Sequence, residues 1–262
     1  MKISILDDNR DFNGSIVGHN AFSLHFTLDN KNYLFDLGAD DTFIKNAQEL
    51  NLDLEKLDYV FISHGHYDHG DGLEFIKDKK VIVGKGVFTK RFSKRRNGVS
   101  SALSYGKEIK KKHKFITIYN KKWLNNKIVV FKTNFRPLKF ENNNYPTYLK
   151  NNKDDIVKDE ISVAVKTEKG LVIISGCSHA GICNIILNAQ KICKEEKVYA
   201  VIGGFHLTTK LDRAKLVIQK LKEIGVENCY TGHCISDECA NLFLSLYPNA
   251  IILKQKLQFE IK

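Results

Sequence analysis

Hydrophobic positions recur along this 262-residue chain with two periods, one suited to strands and one to helices. Lys2–Leu6, Phe22–Leu28 and Asn32–Phe35 read as strands, the last two turned at Asp29-Asn30. Thr42–Leu50 places Phe43, Ala47 and Leu50 on one helical face and stops before Asn51. Tyr59–Ile62 is a short, wholly apolar strand that runs into Ser63-His64-Gly65. Lys80–Val83, Lys114–Tyr119 and Lys127–Lys132 are further strands, the last two in a polar, Asn-rich region.

The C-terminal part alternates. Ile161–Lys166 and Leu171–Ile174 form a predicted hairpin, and Gly181–Lys194 a helix. Val198–Ile202, Asn228–Thr231 and Ala250–Leu253 are strands separated by helices at Arg213–Ile224 and Glu238–Leu246. Early hairpins followed by βαβ order imply an α/β fold of stacked sheets with helices outside. No fixed-period repeat and no linker rich in Pro, Gly or Ser interrupts it, so one compact domain over 1–262 is expected, with a basic insert around 84–127.

Composition changes this picture in one respect. Hydrophobic residues (43%) and charged residues (27%) are ordinary for a globular chain, which excludes disordered and fibrous classes. No apolar run approaches the roughly 20 residues that cross a bilayer, and the first ten residues do not resemble a signal peptide, so a soluble cytoplasmic protein is expected. The net charge of +11, however, is uneven. Lys77 to Lys122 holds sixteen Lys or Arg against Asp78 and Glu108, a balance of +14. Such a block suits either a solvated face or contact with an anionic ligand. Lys90, Arg91, Arg95 and Arg96, interleaved with Phe88 and Phe92, are the first substrate-binding candidates; Arg95 and Arg96 lead. A nucleic-acid role is disfavoured, because the block lacks regular stacking positions and a recognisable binding module. The six cysteines contain no CxxC pair and are expected to be reduced thiols.

The sharpest chemistry is Ser63-His64-Gly65-His66-Tyr67-Asp68-His69-Gly70, directly after an apolar strand. Three imidazoles and a carboxylate within six positions are a donor set for zinc, manganese or iron. Histidines at i and i+2 of a tight turn can grip one ion, and Asp68 and His69 can reach a second. Three more strands each end in Gly followed by His: Gly176-Cys177-Ser178-His179, Gly203-Gly204-Phe205-His206 and Gly232-His233-Cys234. Loops at one edge of an α/β sheet are where ligand residues gather. His19, His25 and His113 have no such context and read as core or surface residues.

These motifs resemble the metallo-β-lactamase superfamily. His64-x-His66-x-Asp68-His69 matches its metal signature, and Leu34-Phe35-Asp36-Leu37-Gly38 its upstream strand ending in Asp. SHGHYDH at Ser63–His69, GCSHAGI at Gly176–Ile182, GGFHL at Gly203–Leu207 and GHC at Gly232–Cys234 are similar to the branch of dihydropterin–ribofuranosylaminobenzene phosphate synthases and their bacterial relatives. The resemblance implies an αββα sandwich of two mixed sheets with helices outside and a dinuclear site at one edge. It implies that His64 and His66 bind the first ion, that Asp68, His69 and His233 serve the second, and that Asp36 steadies the His loop by hydrogen bonds. Cys177 stands where the superfamily usually has a bridging Asp, and no His lies between His113 and His179. Either His179 supplies the missing ligand or the first site is more open. Cys177 is either a thiolate ligand or a buried inert thiol, and His206 either a ligand, a substrate contact or a proton donor. The implied cofactors are two divalent ions, zinc foremost, with manganese, iron or magnesium as alternatives.

Four readings follow: a metal-dependent hydrolase of a small phosphorylated or ester substrate; a pterin-transferring synthase that displaces pyrophosphate; a nuclease or RNA-binding protein; and a redox or inactive relative. In the first, Asp68 and His206 are the catalytic residues and the partner is a small anionic substrate; the oligomeric state stays open.

Overall fold

The computed structural model describes residues 1–94, 106–141, 147–208 and 211–261. They form two compact units: Met1–Thr117 with Asn144–Asp159 and Lys254–Lys262, and Ile118–Asn143 with Glu160–Leu253. Arg95 and Arg96 lie outside the described residues.

The first unit is built on a mixed seven-stranded sheet. Its strand order is Gln258–Glu260, Lys2–Asp7, Ser23–Leu28, Lys31–Phe35, Tyr59–Ile62, Lys80–Gly84 and Lys114–Ile118. The first four pair antiparallel, and Lys31–Phe35, Tyr59–Ile62 and Lys80–Gly84 run parallel. Parallel pairing needs a crossover, which helix Thr42–Glu49 supplies between the strands ending at Phe35 and Ile62. That helix buries Phe43 and Ala47 of the predicted face together with the polar Asn46, while Leu50 beyond its end is only partly buried. Phe43 and Ala47 join Leu34, Val60, Ile62 and Val81 in one apolar cluster. Each fully buried side chain of the size of Leu or Phe contributes about 1.5–3 kcal/mol of transfer free energy.

The second unit holds a second mixed sheet of seven strands. Its order is Ala250–Ile252, Asn228–Gly232, Val198–Gly204, Gly170–Ile174, Ile161–Thr167, Ile128–Lys132 and Lys121–Trp123. The first four are parallel and the rest antiparallel. Helices Ile182–Cys193, Leu211–Ile224 and Asp237–Leu246 make the crossovers. The last is capped locally, with the Ser236 hydroxyl accepting from the Cys239 N–H. The first has only Gly181 at its start and takes its cap from afar. There Glu141 Oε2 accepts from the Asn184 N–H at 2.9 Å. Gly181 sits at φ +89°, and a Cβ there would come within 2.4 Å of the Glu141 carboxylate, so the cap requires glycine.

Two mixed seven-stranded sheets with helices are the expected fold class. The differences lie in short elements. Lys121–Trp123, Gln258–Glu260 and the pair Arg91–Ser93/Thr147–Leu149 are strands of three residues each, too short to display a period. Helix Gly106–Lys112 is nearly all polar in sequence, with Ile109 as its one apolar residue. Among the described residues, no helix is long and apolar enough to cross a membrane.

Candidate metal centre

In the first unit, two adjacent parallel strands deliver the site from their carboxyl ends. Lys31–Phe35 runs into Asp36 and Tyr59–Ile62 into Ser63-His64. Asp36 is fully buried in a left-handed conformation at φ +58°, which turns its carboxylate toward the neighbouring strand end. Its Oδ1 accepts from the Ser63 N–H at 2.6 Å, and its Oδ2 accepts from the Ser63 hydroxyl at 2.7 Å. Oδ2 also lies 2.7 Å from His69 Nδ1.

These bonds fix the imidazole tautomers. Asp36 can only accept, so His69 carries its proton on Nδ1 and presents an Nε2 lone pair. The Ser63 hydroxyl donates its hydrogen bond to Asp36, so at 2.9 Å it accepts from His64 Nδ1–H. His64 Nε2 is then a lone pair as well, and it lies 2.9 Å from His66 Nδ1. The His64 ring centroid is 4.5 Å from that of His66 and 4.2 Å from that of His69. Two imidazole nitrogens on one tetrahedral zinc, each about 2.0–2.1 Å from the ion, stand roughly 3.3 Å apart. At 2.9 Å, a hydrogen-bond distance, the two nitrogens are somewhat closer than that, so a small separation of the rings would admit a shared divalent ion. Asp68 is half-buried on the short helix Tyr67–Gly70 that His66 initiates.

The second unit repeats the device at three neighbouring parallel strand ends. After Gly170–Ile174, the His179 and Ala180 N–H groups donate to Glu160 Oε1 and Oε2 at 2.6 and 2.8 Å. Ser178, at φ +56°, donates its hydroxyl to the Gly204 carbonyl at 2.6 Å, tying this loop to the next strand. After Val198–Gly204, His206 sits at φ +50° with its ring 4.7 Å from that of His179. Its carbonyl accepts from Arg213 at 2.9 Å, and its N–H donates to Cys234 Sγ at 3.2 Å. After Asn228–Gly232, His233 also adopts φ +50°. Cys177, His233 and Cys234 bring ligand atoms within 4.8 Å of one another, an S, N, S donor set that fits zinc.

The candidates Asp36, His64, His66, Asp68 and His69 lie in the first unit, and Cys177, His179, His206 and His233 in the second. Arg91 is a correction. It is buried and paired with Asp155 and Asp159, so it is no exposed cation awaiting a substrate. Lys90 lies over the Phe92 ring at 5.6 Å. His25 and His113 are buried, and burial pushes both below the usual imidazole range.

His19 is partly buried beside two carboxylates. Its Nε2 lies 3.2 Å from Asp7 Oδ2 and its Nδ1 3.9 Å from Asp40 Oδ2. The hydrogen bond to Asp7 raises its pKa, against the opposing effect of burial. No motif in the His19 neighbourhood signals this contact. Glu160 and Cys234 were also missed, although Cys234 stood inside the GHC motif. Asp71, past the His loop, is pushed up to about 7, first by burial and then by the charge of Asp68.

Residues 17–188 match the sequence profile of the metallo-β-lactamase superfamily. The chain is 30% identical over 243 residues to the 7,8-dihydropterin-6-methyl-4-(β-D-ribofuranosyl)-aminobenzene-5'-phosphate synthase of Methanocaldococcus jannaschii, covering 82% of this chain and 79% of that protein. Among solved structures it is similar to Tm1679, a metal-dependent hydrolase of the β-lactamase superfamily. The two superpose with a TM-score of 0.85 and 28% identity, over 100% of this chain and 99% of the other. A diphosphatase from the PhnP family shares the fold alone, at TM-score 0.60 and 10% identity, over 100% and 98% of the two chains. With the profile spanning most of the chain and its two strand-end histidine sets in place, the protein belongs to the metallo-β-lactamase superfamily.

Proposed function

We propose that this metallo-β-lactamase-fold metallohydrolase acts on a small anionic substrate, either a phosphorylated compound or an ester. The observation that carries the reading is the His64–His66 pair. Two ring nitrogens lie 2.9 Å apart, and the Ser63 contact turns the His64 lone pair toward His66. The proposed ligands of two divalent ions are His64, His66, Asp68 and His69 with His179 and His233, and Cys177 as a thiolate. When bound, zinc (or manganese, iron or magnesium) would lower the pKa of a water and stabilise charge on a displaced oxygen.

The chain's own residues do the rest. Asp36 and Ser63 hold His64 and His69 in the tautomers that ligation needs. Glu160 fixes the His179 loop through two backbone amides. Asp68 is the proposed residue that orients the attacking water and accepts its proton. His206 is the proposed donor of a proton to the leaving group. Arg95 and Arg96 are the proposed contacts to substrate charge.

A second reading is favoured by the 30% identity to the M. jannaschii synthase. Here the nucleophile would be an amine or carbon acceptor and the leaving group pyrophosphate. Phosphorus-31 NMR on metal-reconstituted protein separates the two, using a dihydropterin methyl pyrophosphate with and without the ribofuranosylaminobenzene phosphate acceptor. Release of pyrophosphate only with acceptor present establishes the synthase. Acceptor-independent release, or turnover of phosphodiester and ester panels alone, supports the hydrolase.

A further inference from the structure

The turn between His64 and His66 is held by a carboxylate 94 residues away in sequence. Gly65, the residue between the two proposed ligands, donates its N–H to Asp159 Oδ2 at 2.8 Å. The other oxygen of Asp159, Oδ1, pairs with Arg91 Nη2. Arg91 is itself over-determined: Nε pairs with Asp155 Oδ2, and Nη1 donates to the Val87 and Thr89 carbonyls at 3.3 and 3.2 Å. Four of the five guanidinium N–H donors therefore have acceptors inside the protein. Asp155 is pinned in turn, its Oδ1 accepting from the Val157 N–H at 2.9 Å. Arg91, Asp155 and Asp159 are all buried.

The turn packs against this network without clearance. A Cβ on Gly65 would stand 1.9 Å from the Val87 carbonyl oxygen and 2.4 Å from Arg91 Nη1, so only glycine lets the backbone approach. The Gly65 peptide has one buried acceptor, and that acceptor's orientation is set by the guanidinium. Were the carboxylate removed, the amide would have to turn to find another partner. Because ligands at i and i+2 share the torsions of the residue between them, such a turn moves His64 Nε2 and His66 Nδ1 relative to each other.

We infer that Asp159 is a positioning residue of the metal loop, holding the His64–Gly65–His66 turn in ligating geometry through the Gly65 amide, with Arg91 as the clamp that orients it. The inference rests on the reading of His64 and His66 as metal ligands. It is independent of which substrate is turned over.

Cobalt(II) binding to metal-free protein tests it, by equilibrium titration and by the visible d–d absorption of the complex. Asp159→Ala should raise the cobalt dissociation constant about 10–100-fold and shift the absorption bands. Asp159→Asn, which keeps an oxygen for the Gly65 amide, should fall between Asp159→Ala and the parent. Asp155→Asn loosens the Arg91 clamp but keeps the Gly65–Asp159 bond itself. It should lower thermal stability and raise the cobalt dissociation constant by less than Asp159→Ala does. Loss of stability in all three variants, with parental cobalt affinity and spectrum throughout, would overturn the inference and leave Asp159 a structural residue. Should the Asp159 variants fail to fold, amide exchange of Gly65 in the parent decides. Protection in the cobalt-loaded protein is expected, and exchange at the rate of an exposed loop amide overturns the inference. A parent that binds no cobalt sinks the metal reading itself, a result distinct from either.

Discussion

Asp36 and His69 share a hydrogen bond of 2.7 Å with both side chains fully buried, and through it one carboxylate decides which nitrogen His69 can offer an ion. Asp36→Asn leaves an amide that can donate as well as accept, so the tautomer is no longer dictated. Metal affinity should fall about 10–100-fold, the usual cost of losing a partner behind a ligating imidazole. Equilibrium metal titration checks this, and parental affinity would show that Asp36 only supports the strand ends.

His66→Ala should abolish activity and lower metal content while leaving the fold intact, since His66 Nδ1 faces His64 Nε2 rather than the apolar core. Metal analysis alongside circular dichroism measures both. Full activity in this variant refutes the site assignment.

Glu160 anchors the His179 turn through two backbone amides, and Glu160→Ala leaves both without their acceptor. Each buried unsatisfied donor costs about 1–3 kcal/mol. Chemical denaturation should show a loss in that range or above, and turnover should fall with it. Glu160→Gln, which keeps one oxygen for one amide, should be intermediate.

The sequence made the fold legible wherever elements were long enough to show a period. Thr42–Glu49, Ile182–Cys193 and the apolar strands carry their burial patterns openly. The His loop was legible because four of the proposed donors, His64, His66, Asp68 and His69, fall within six consecutive positions. The supports were not. Asp159 reaches Gly65 across 94 residues, Glu160 reaches His179 across 19, and Glu141 caps a helix 43 residues on. No local period encodes a lone carboxylate that accepts backbone amides. Arg91 was misread for the same reason: a basic run of sequence does not reveal which of its cations meets two buried carboxylates.

His19 should titrate above its ordinary value of 6.5 in metal-free protein, because its hydrogen bond to Asp7 favours the imidazolium. The folded pKa exceeds the unfolded one, so this stabilisation is complete below pH 6.5 and is lost as pH rises through the folded value. Burial raises the Asp7 carboxyl as well, so its contribution also falls as pH climbs from 3.8, in a lower pH window. The two effects overlap in global stability, so the measurement is the NMR titration of the His19 ring protons. Asp7→Asn should bring the midpoint down, and an unmoved midpoint would show that Asp7 does not hold the imidazole in solution.

His206 stands among donors yet is held by its backbone: its carbonyl takes Arg213 and its N–H meets Cys234. That arrangement fixes the Cα while the ring lies beside His179. A ligand and a proton donor can be told apart by substitution. If His206 gives a proton to the leaving group, His206→Gln leaves metal content unchanged. It then lowers kcat about 10²–10⁴-fold for substrates with basic leaving groups. Substrates that release a stable anion such as p-nitrophenolate need no such proton, and their kcat should change little. The steepness of kcat against leaving-group pKa therefore rises in the variant. A variant that loses metal, with kcat falling equally for every leaving group, would place His206 among the ligands instead.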